Sequence, residues 1–377
     1  MLPLKGIIIT DLTHHLPGPF TTSLLADMGA EIIKIERPPK GDFLRLLPKY
    51  YSAVNRNKKS ISLNLKDEKT GEILSRLIKI SDVLVESFRP GVAKSLGFDY
   101  EAVKKMNKSI VYCSLTGFGQ DGPYKDAPGH EINYLSTSGV LSISGDPKGP
   151  PEDWGGIQIS DLCGAMYAAL SILAALRNRD KTGKSAYLDV SITDCLLAWL
   201  GPKLGEYYER KRPSKDMLLR RGAYGVFETR DGKYLAVGCI EDIFWKNLCR
   251  ILNINEIAEK KEYATTADRI KRSDELKALL KKYFLNKTRS EWLDIFKNED
   301  VPLTPVNSLD ELEEDPHIKH RGLINEMDDF NLINFPVKFN GERETRLKLP
   351  GKVGKDNKEI LIKLGYTNAE IEDFLQS

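Results

Sequence analysis

Cysteine is scarce in this sequence and scattered where it occurs. Cys113, Cys163, Cys195, Cys239 and Cys249 form no Cys-x-x-Cys pair and no zinc spacing, which argues against a structural metal and against a paired-thiol redox motif. An odd, dispersed set reads as reduced thiols, so the expected location is cytoplasmic. Net charge is equally thin, with 56 Lys and Arg against 54 Asp and Glu. No overall field recruits nucleic acid, and no such partner is expected. The opening MLPLKGIIITDL is too short and too soon charged for a signal peptide or a membrane span. No membrane partner is expected either.

Familiar chemical motifs are missing too. No Gly-x-Gly-x-x-Gly follows the first β-rich run, which removes support for nicotinamide binding. No Gly-x-Ser-x-Gly elbow exists, which argues against a serine hydrolase. Gly183-Lys184-Ser185 imitates the end of a phosphate loop, but Asn178 stands where its first glycine belongs and a strand pattern follows. His317 and His320 lack a third ligand nearby and read as a solvated helix end. His14 and His15 read as lining the loop after the first strand.

What is present is a regular alternation. GIIITDL, EIIKIE, SISLNL, DVLVESF and SIVYCSLTGF are short β-rich runs, with helical patterns in TTSLLADMGA and GEILSRLIKI between them. Strands separated by helices indicate βαβ units and a parallel sheet, hence an α/β fold. A long apolar helix is expected from about Cys163 to Arg177, and YLDVSI returns as a strand. The 377 residues suffice for two domains. The first part of the large domain spans 1–199, and the basic stretch within 200–222 reads as a linker. A smaller α+β domain covers 223–300, with a hairpin turning at Arg230-Asp231-Gly232-Lys233. A second linker spans 301–322, and 323–377 returns to the large domain.

In an open parallel sheet, ligands gather at the carboxyl ends of the strands. Arg37 and Arg89 are expected there, either as a solvated rim or as phosphate contacts, since arginine favours bidentate phosphate binding. Asp161 precedes the apolar helix and reads as its N-cap, near free N–H groups suited to an oxyanion. The small residues Cys163 and Gly164 would let another group approach there, with Cys163 a packing residue. Glu241 either begins the helix EDIFWKNL or reaches His130 to orient its ring.

Taken in order, LKGIIITDLTHHLPGPFTTSLLADMGAEIIKIERP, NRNKKSISLNLK, DVLVESFRPGVAKSLGF, SLTGFGQDGPYKDAPGHEINY, TGKSAYLDVSITD, YGVFETRDGKYLAVGCIE, VPLTPVNSLDELEEDPHIKHRG and LGYTNAEIEDFL run the length of the chain. They resemble the class III CoA-transferase and α-methylacyl-CoA racemase family. The resemblance implies a Rossmann-like large domain built from both chain ends, a small middle domain, and an interlocked, ring-like homodimer. Its active site would lie between the large domain of one subunit and the small domain of the other.

The resemblance also implies residue roles. Gly129-His130-Glu131-Ile132-Asn133-Tyr134 is similar to the racemase motif, with Glu131 in place of an aspartate. Asp161 matches the family aspartate, a nucleophile in transferases and a base in racemases, and Glu241 matches the glutamate that supports the histidine. CoA contacts fall on Arg37, on Leu63, Asn64, Leu65 and Lys66, on Ser87, Phe88 and Arg89, and on 129–134. Ser95 stands where many relatives hold an arginine. Leu162-Cys163-Gly164 departs from the racemase pattern, and the spacing from Asp161 to SILAAL is like the transferase branch.

The expected function is racemisation of 2-methylacyl-CoA thioesters by 1,1-proton transfer through an enolate. His130 and Asp161 would act as opposed bases, with N–H groups after Asp161 holding the enolate oxygen. CoA is the handle of the acyl-CoA substrate, and no metal or other cofactor is expected. The alternative is CoA transfer between carboxylic acids through an aspartyl-CoA thioester at Asp161. A CoA-ester-binding protein without turnover is the third reading.

Overall fold

The computed structural model describes residues 2–153, 155–327, 329–343 and 347–376. Met1, Trp154, Asp328, 344–346 and Ser377 fall inside the expected large-domain segments and lie outside the described residues. The chain divides into two compact units. The first contains 1–144, 151–205 and 320–377, and the second contains 145–150 and 206–319.

The first unit is a Rossmann-like α/β fold on a six-stranded sheet. Its strands are β1 (Ile8–Leu12), β2 (Glu31–Glu36), β3 (Lys58–Ser62), β4 (Val83–Glu86), β5 (Val111–Thr116) and β6 (Ala186–Ser191). All neighbours pair in parallel, in the order β3-β2-β1-β4-β5-β6. A parallel sheet is covered on both faces, which is why β4 is buried along its whole length. Alternation then assigns the residues: Val83 and Val85 pack with helices Pro17–Asp27 and Ile159–Thr182, whereas Leu84 joins the cluster of helix Glu68–Ile80. Helix Asn357–Lys363 adds Ile360 and Leu361 to that second cluster, and Ser60 donates its backbone N–H to Asp356 at 2.8 Å. Both chain ends therefore build this unit.

Three boundaries differ from expectation. SISLNL ends as a strand at Ser62, and a turn follows in which Asp67 donates its N–H to the Asn64 carbonyl at 2.8 Å. The expected linker at 200 lies inside helix Ile192–Glu209, which continues past Pro202. The second linker starts with a strand.

That strand is β9 (Leu303–Pro305), which joins β7 (Ala223–Glu228) and β8 (Tyr234–Cys239) in an antiparallel sheet ordered β7-β8-β9. Pro305 made it read as linker, but an edge strand tolerates proline because one side needs no donor. The β7–β8 turn is fixed by Gly232 at φ 73° and by the Thr229 hydroxyl donating to Asp231 at 2.6 Å. Trp245, Phe284 and Trp292 of the surrounding helices complete the core of this α+β unit.

Candidate active site

The strand order reverses between β1 and β4, so their carboxyl ends open a crevice. A cavity of about 380 Å³ lies there. Leu12 and His14 line it at the end of β1, Arg37 after β2, Leu63, Asn64, Leu65 and Lys66 after β3, and Phe88 after β4. The fold thus gathers six of the residues singled out in the sequence around one cavity. Ser87 acts behind it, its hydroxyl accepting the His14 backbone N–H at 3.2 Å. Glu86 accepts the Phe88 N–H at 2.7 Å, which sets the turn beyond β4. His14 meets Phe88 edge-on, and burial and the nearby Lys34 charge push its ring toward the neutral form. Sequence reading left His14 as a loop residue, although its place after the first strand was the available signal. Arg37, Lys66 and Arg89 have no ion pair among the described residues.

Asp161 sits differently from expectation. Helix Ile159–Thr182 begins one turn earlier, with Gln158 at the N-cap, so Asp161 is the third helical residue. The cap comes from outside the helix. The Glu131 carboxylate accepts the Ser160 N–H at 2.9 and 3.0 Å, the Asp161 N–H at 3.2 Å, and the Ser160 hydroxyl. Leu162 donates its N–H to Gln158 at 3.1 Å. The N–H groups expected to hold an enolate oxygen are therefore already occupied. The group approaching Gly164 is no ligand either: a Cβ there would lie 2.7 Å from the Ile192 side chain. Cys163 is fully buried, its thiol pushed up to about 11 by burial and by the Glu131 charge, as suits a packing residue.

The Asp161 carboxylate itself accepts no hydrogen bond and has no ion pair among the described residues. Burial, and then the Glu131 charge, raise it to about 7. Tyr134 is pushed up to about 12 by burial and by the Asp161 charge, while Arg89 pulls the other way. Tyr50, on helix Pro48–Asn55, is raised by burial and by Asp161. Glu131, Tyr134 and Tyr50 thus surround Asp161 electrostatically. Sequence reading missed Tyr50, because nothing in YYSAVN separates it from the buried Tyr51.

The residues 129–134 start helix Glu131–Thr137. His130 is its exposed N-cap, donating its backbone N–H to Asn133 Oδ1 at 3.0 Å, and Ile132 and Asn133 are exposed. Tyr134 is buried, and its hydroxyl donates to the Gly129 carbonyl at 2.6 Å. Its ring lies so close to Gly117 that a Cβ there would come within 2.3 Å. Glu241 belongs to the second unit, an exposed N-cap of helix Asp242–Ile251 with no side-chain capping bond.

A doubly wound sheet with a cavity at its switch point marks a ligand-binding α/β protein, and its core helix carries a carboxylate without a partner among the described residues. Comparison with known proteins narrows the class. The chain matches the model of CoA-transferase family III over residues 4–357, and it belongs to that family. It is 36% identical to acetyl-CoA:oxalate CoA-transferase of Acetobacter aceti over 349 residues, covering 90% of each chain. It is 32% identical to α-methylacyl-CoA racemase of Homo sapiens over 380 residues, covering 98% of this chain and 95% of that protein. A CaiB/BaiF family protein from Brucella suis has a similar structure, with a TM-score of 0.86 at 28% identity, covering 96% of this chain and 99% of that one.

Proposed function

We propose that this protein transfers CoA between carboxylic acids, with Asp161 as the nucleophile. The observation that carries the reading is the Asp161 carboxylate, partly buried on a core helix with neither cation nor hydrogen bond to hold it among the described residues. A carboxylate stabilised by partners attacks poorly, whereas a desolvated and unpaired one is activated. An Asp161 oxygen attacks the thioester carbon, the C–S bond breaks, and CoA thiolate leaves a mixed anhydride. The thiolate then attacks the Asp161 carbonyl, releasing the donor acid and leaving an aspartyl-CoA thioester. An acceptor carboxylate attacks that thioester, and the released thiolate takes the new acyl group from the second anhydride. Each step exchanges one acyl bond for another, so no net proton is moved. The CoA handle would lie in the cavity, with its phosphates facing Arg37 and Lys66. The likeness to CoA-transferases, that of Acetobacter aceti among them, supports this reading.

Racemisation is the second reading, favoured by His130 within GHEINY and by the racemase relative. One pair of assays separates the two. Incubation of the protein with an acyl-CoA and a panel of carboxylic acids should yield a new CoA ester, and hydroxylamine should trap an adduct on Asp161. Entry of deuterium at the α-carbon of a 2-methylacyl-CoA without any acceptor acid, with no trapped adduct, would favour racemisation instead. The interlocked homodimer belongs to the same proposal, and sedimentation at twice the chain mass is expected.

A further inference from the structure

We propose that Glu131 is the positioning residue of the Asp161 nucleophile: it occupies the helix-start donors that Asp161 would otherwise bind itself. The inference rests on Asp161 being the reacting group. An aspartate in the first turn of a helix has its own backbone donors within reach, and a carboxylate there is stabilised by those N–H groups and by the helix dipole. Such self-capping would turn the carboxylate back toward its helix and blunt it as a nucleophile. Here the Ser160 and Asp161 N–H groups and the Ser160 hydroxyl all go to Glu131, a residue of helix Glu131–Thr137. The Asp161 side chain is left without a hydrogen bond among the described residues. The same contacts pin the turn that carries it, because Glu131 is anchored at the start of a second helix.

Charge acts in the same direction. The groups acting on or feeling Asp161 are Glu131 and Tyr134 of one helix and Tyr50 of another, with Arg89 acting on Tyr134. The like charge of Glu131 adds to burial in raising Asp161. Removing Glu131 therefore has two effects of one sign: the repulsion disappears, and the freed donors become available to Asp161. Both let Asp161 ionise at lower pH, and the freed donors also hold it away from the substrate.

Glu131→Ala, Glu131→Gln and Glu131→Asp are compared with the wild type by two readouts. The first is the Asp161 titration, followed by the carboxyl carbon signal of aspartate-labelled protein. The second is the pH profile of single-turnover acylation by an acyl-CoA. In Glu131→Ala the Asp161 midpoint and the acid limb should fall by about one pH unit. The plateau rate above the limb should drop about 10- to 100-fold through misplacement. Glu131→Gln, which keeps the shape and one acceptor oxygen, should move the limb with a smaller loss of plateau. Glu131→Asp, which keeps the charge with a shorter reach, should restore the limb in part. A merely structural residue would lower the melting temperature and move neither limb nor midpoint; that result overturns the proposal. A wild type that transfers no CoA, beside Glu131 variants whose Asp161 midpoint still shifts in this way, would reject the transfer reading and uphold the clamp.

Discussion

Two carboxylates of the same unit are treated in opposite ways. Asp11, at the end of β1, is fully buried and saturated with donors: the Thr13 N–H at 2.9 Å, the Thr13 and Thr22 hydroxyls at 2.5 and 2.6 Å, and the Lys58 ammonium at 3.2 Å. Burial alone would raise its carboxyl, but Lys34, Lys58 and the two hydroxyls hold it well below the usual range. Nearby, Glu36 is buried but drawn down to about 2 by Arg45 and Ser60. Asp161 is less buried and has none of this. Burial raises it and its charged neighbour Glu131 raises it further. A charge that serves the fold is paired within the fold. A charge left unpaired, at a desolvation cost, is where a substrate is expected to supply the missing partner.

The comparison breaks most visibly at the two aspartates themselves. Asp161→Asn should lower CoA transfer by at least about 10⁴-fold, since removing a nucleophile that works as part of a unit leaves only binding contributions. Its far-ultraviolet circular dichroism should be unchanged. Asp11→Ala should act the other way, costing about 3–5 kcal/mol by stranding buried lysine charge. Urea midpoints of the two variants measure this directly. An Asp161→Asn protein that unfolds easily, beside an Asp11→Ala protein of normal midpoint, would reverse the assignment of roles.

Acidity sharpens the contrast further. The Asp161 carboxyl titrates higher in the fold than in the unfolded chain, about 7 against an ordinary 3.8. Its penalty is therefore complete above pH 7, shrinks as pH falls and vanishes below about 4, where both states are protonated. Asp161→Asn should consequently be more stable than the wild type at pH 8, by roughly 2 kcal/mol after allowing for partial exposure. The gain should fade toward pH 4. Melting curves across that range measure it, and a gain that grows toward acid would contradict the sign.

Much of this unit was legible because its signals are local. The runs GIIITDL, EIIKIE and DVLVESF mark strands by composition, and the βαβ spacing forces parallel pairing. Arg37 follows, because a strand end in a parallel sheet points to the crevice, whereas Lys66 came only from the family resemblance. The state of Asp161 was not legible. Whether it caps its helix depends on Glu131, 30 residues away, taking the same donors. Read alone, ISDLCG offers Asp161 as an N-cap, and GHEINY offers Glu131 as a substituted motif residue. The strand at Leu303–Pro305 was hidden for a similar reason, since only its edge position makes its proline acceptable.

The smallest expected effect lies at the cavity rim, where the comparison extends to cations. Lys34 and Lys58 are buried and bonded to Asp42 and Asp11, at 3.1 and 3.2 Å. Arg37 and Lys66 are exposed, line the cavity and have no ion pair among the described residues. If their partner is the phosphate of a CoA ester, each contact is exposed and worth about 1 kcal/mol, or roughly five-fold in Kd. Arg37→Ala should weaken CoA binding somewhat more than Lys66→Ala, because a guanidinium grips phosphate with two donors. Each variant should also flatten the loss of affinity on adding salt, since a screened contact has been removed. Calorimetric titration with CoA at low and high ionic strength measures both quantities. Unchanged affinity with unchanged salt dependence in the double variant would mean that these cations are solvated rim, and that the handle binds elsewhere.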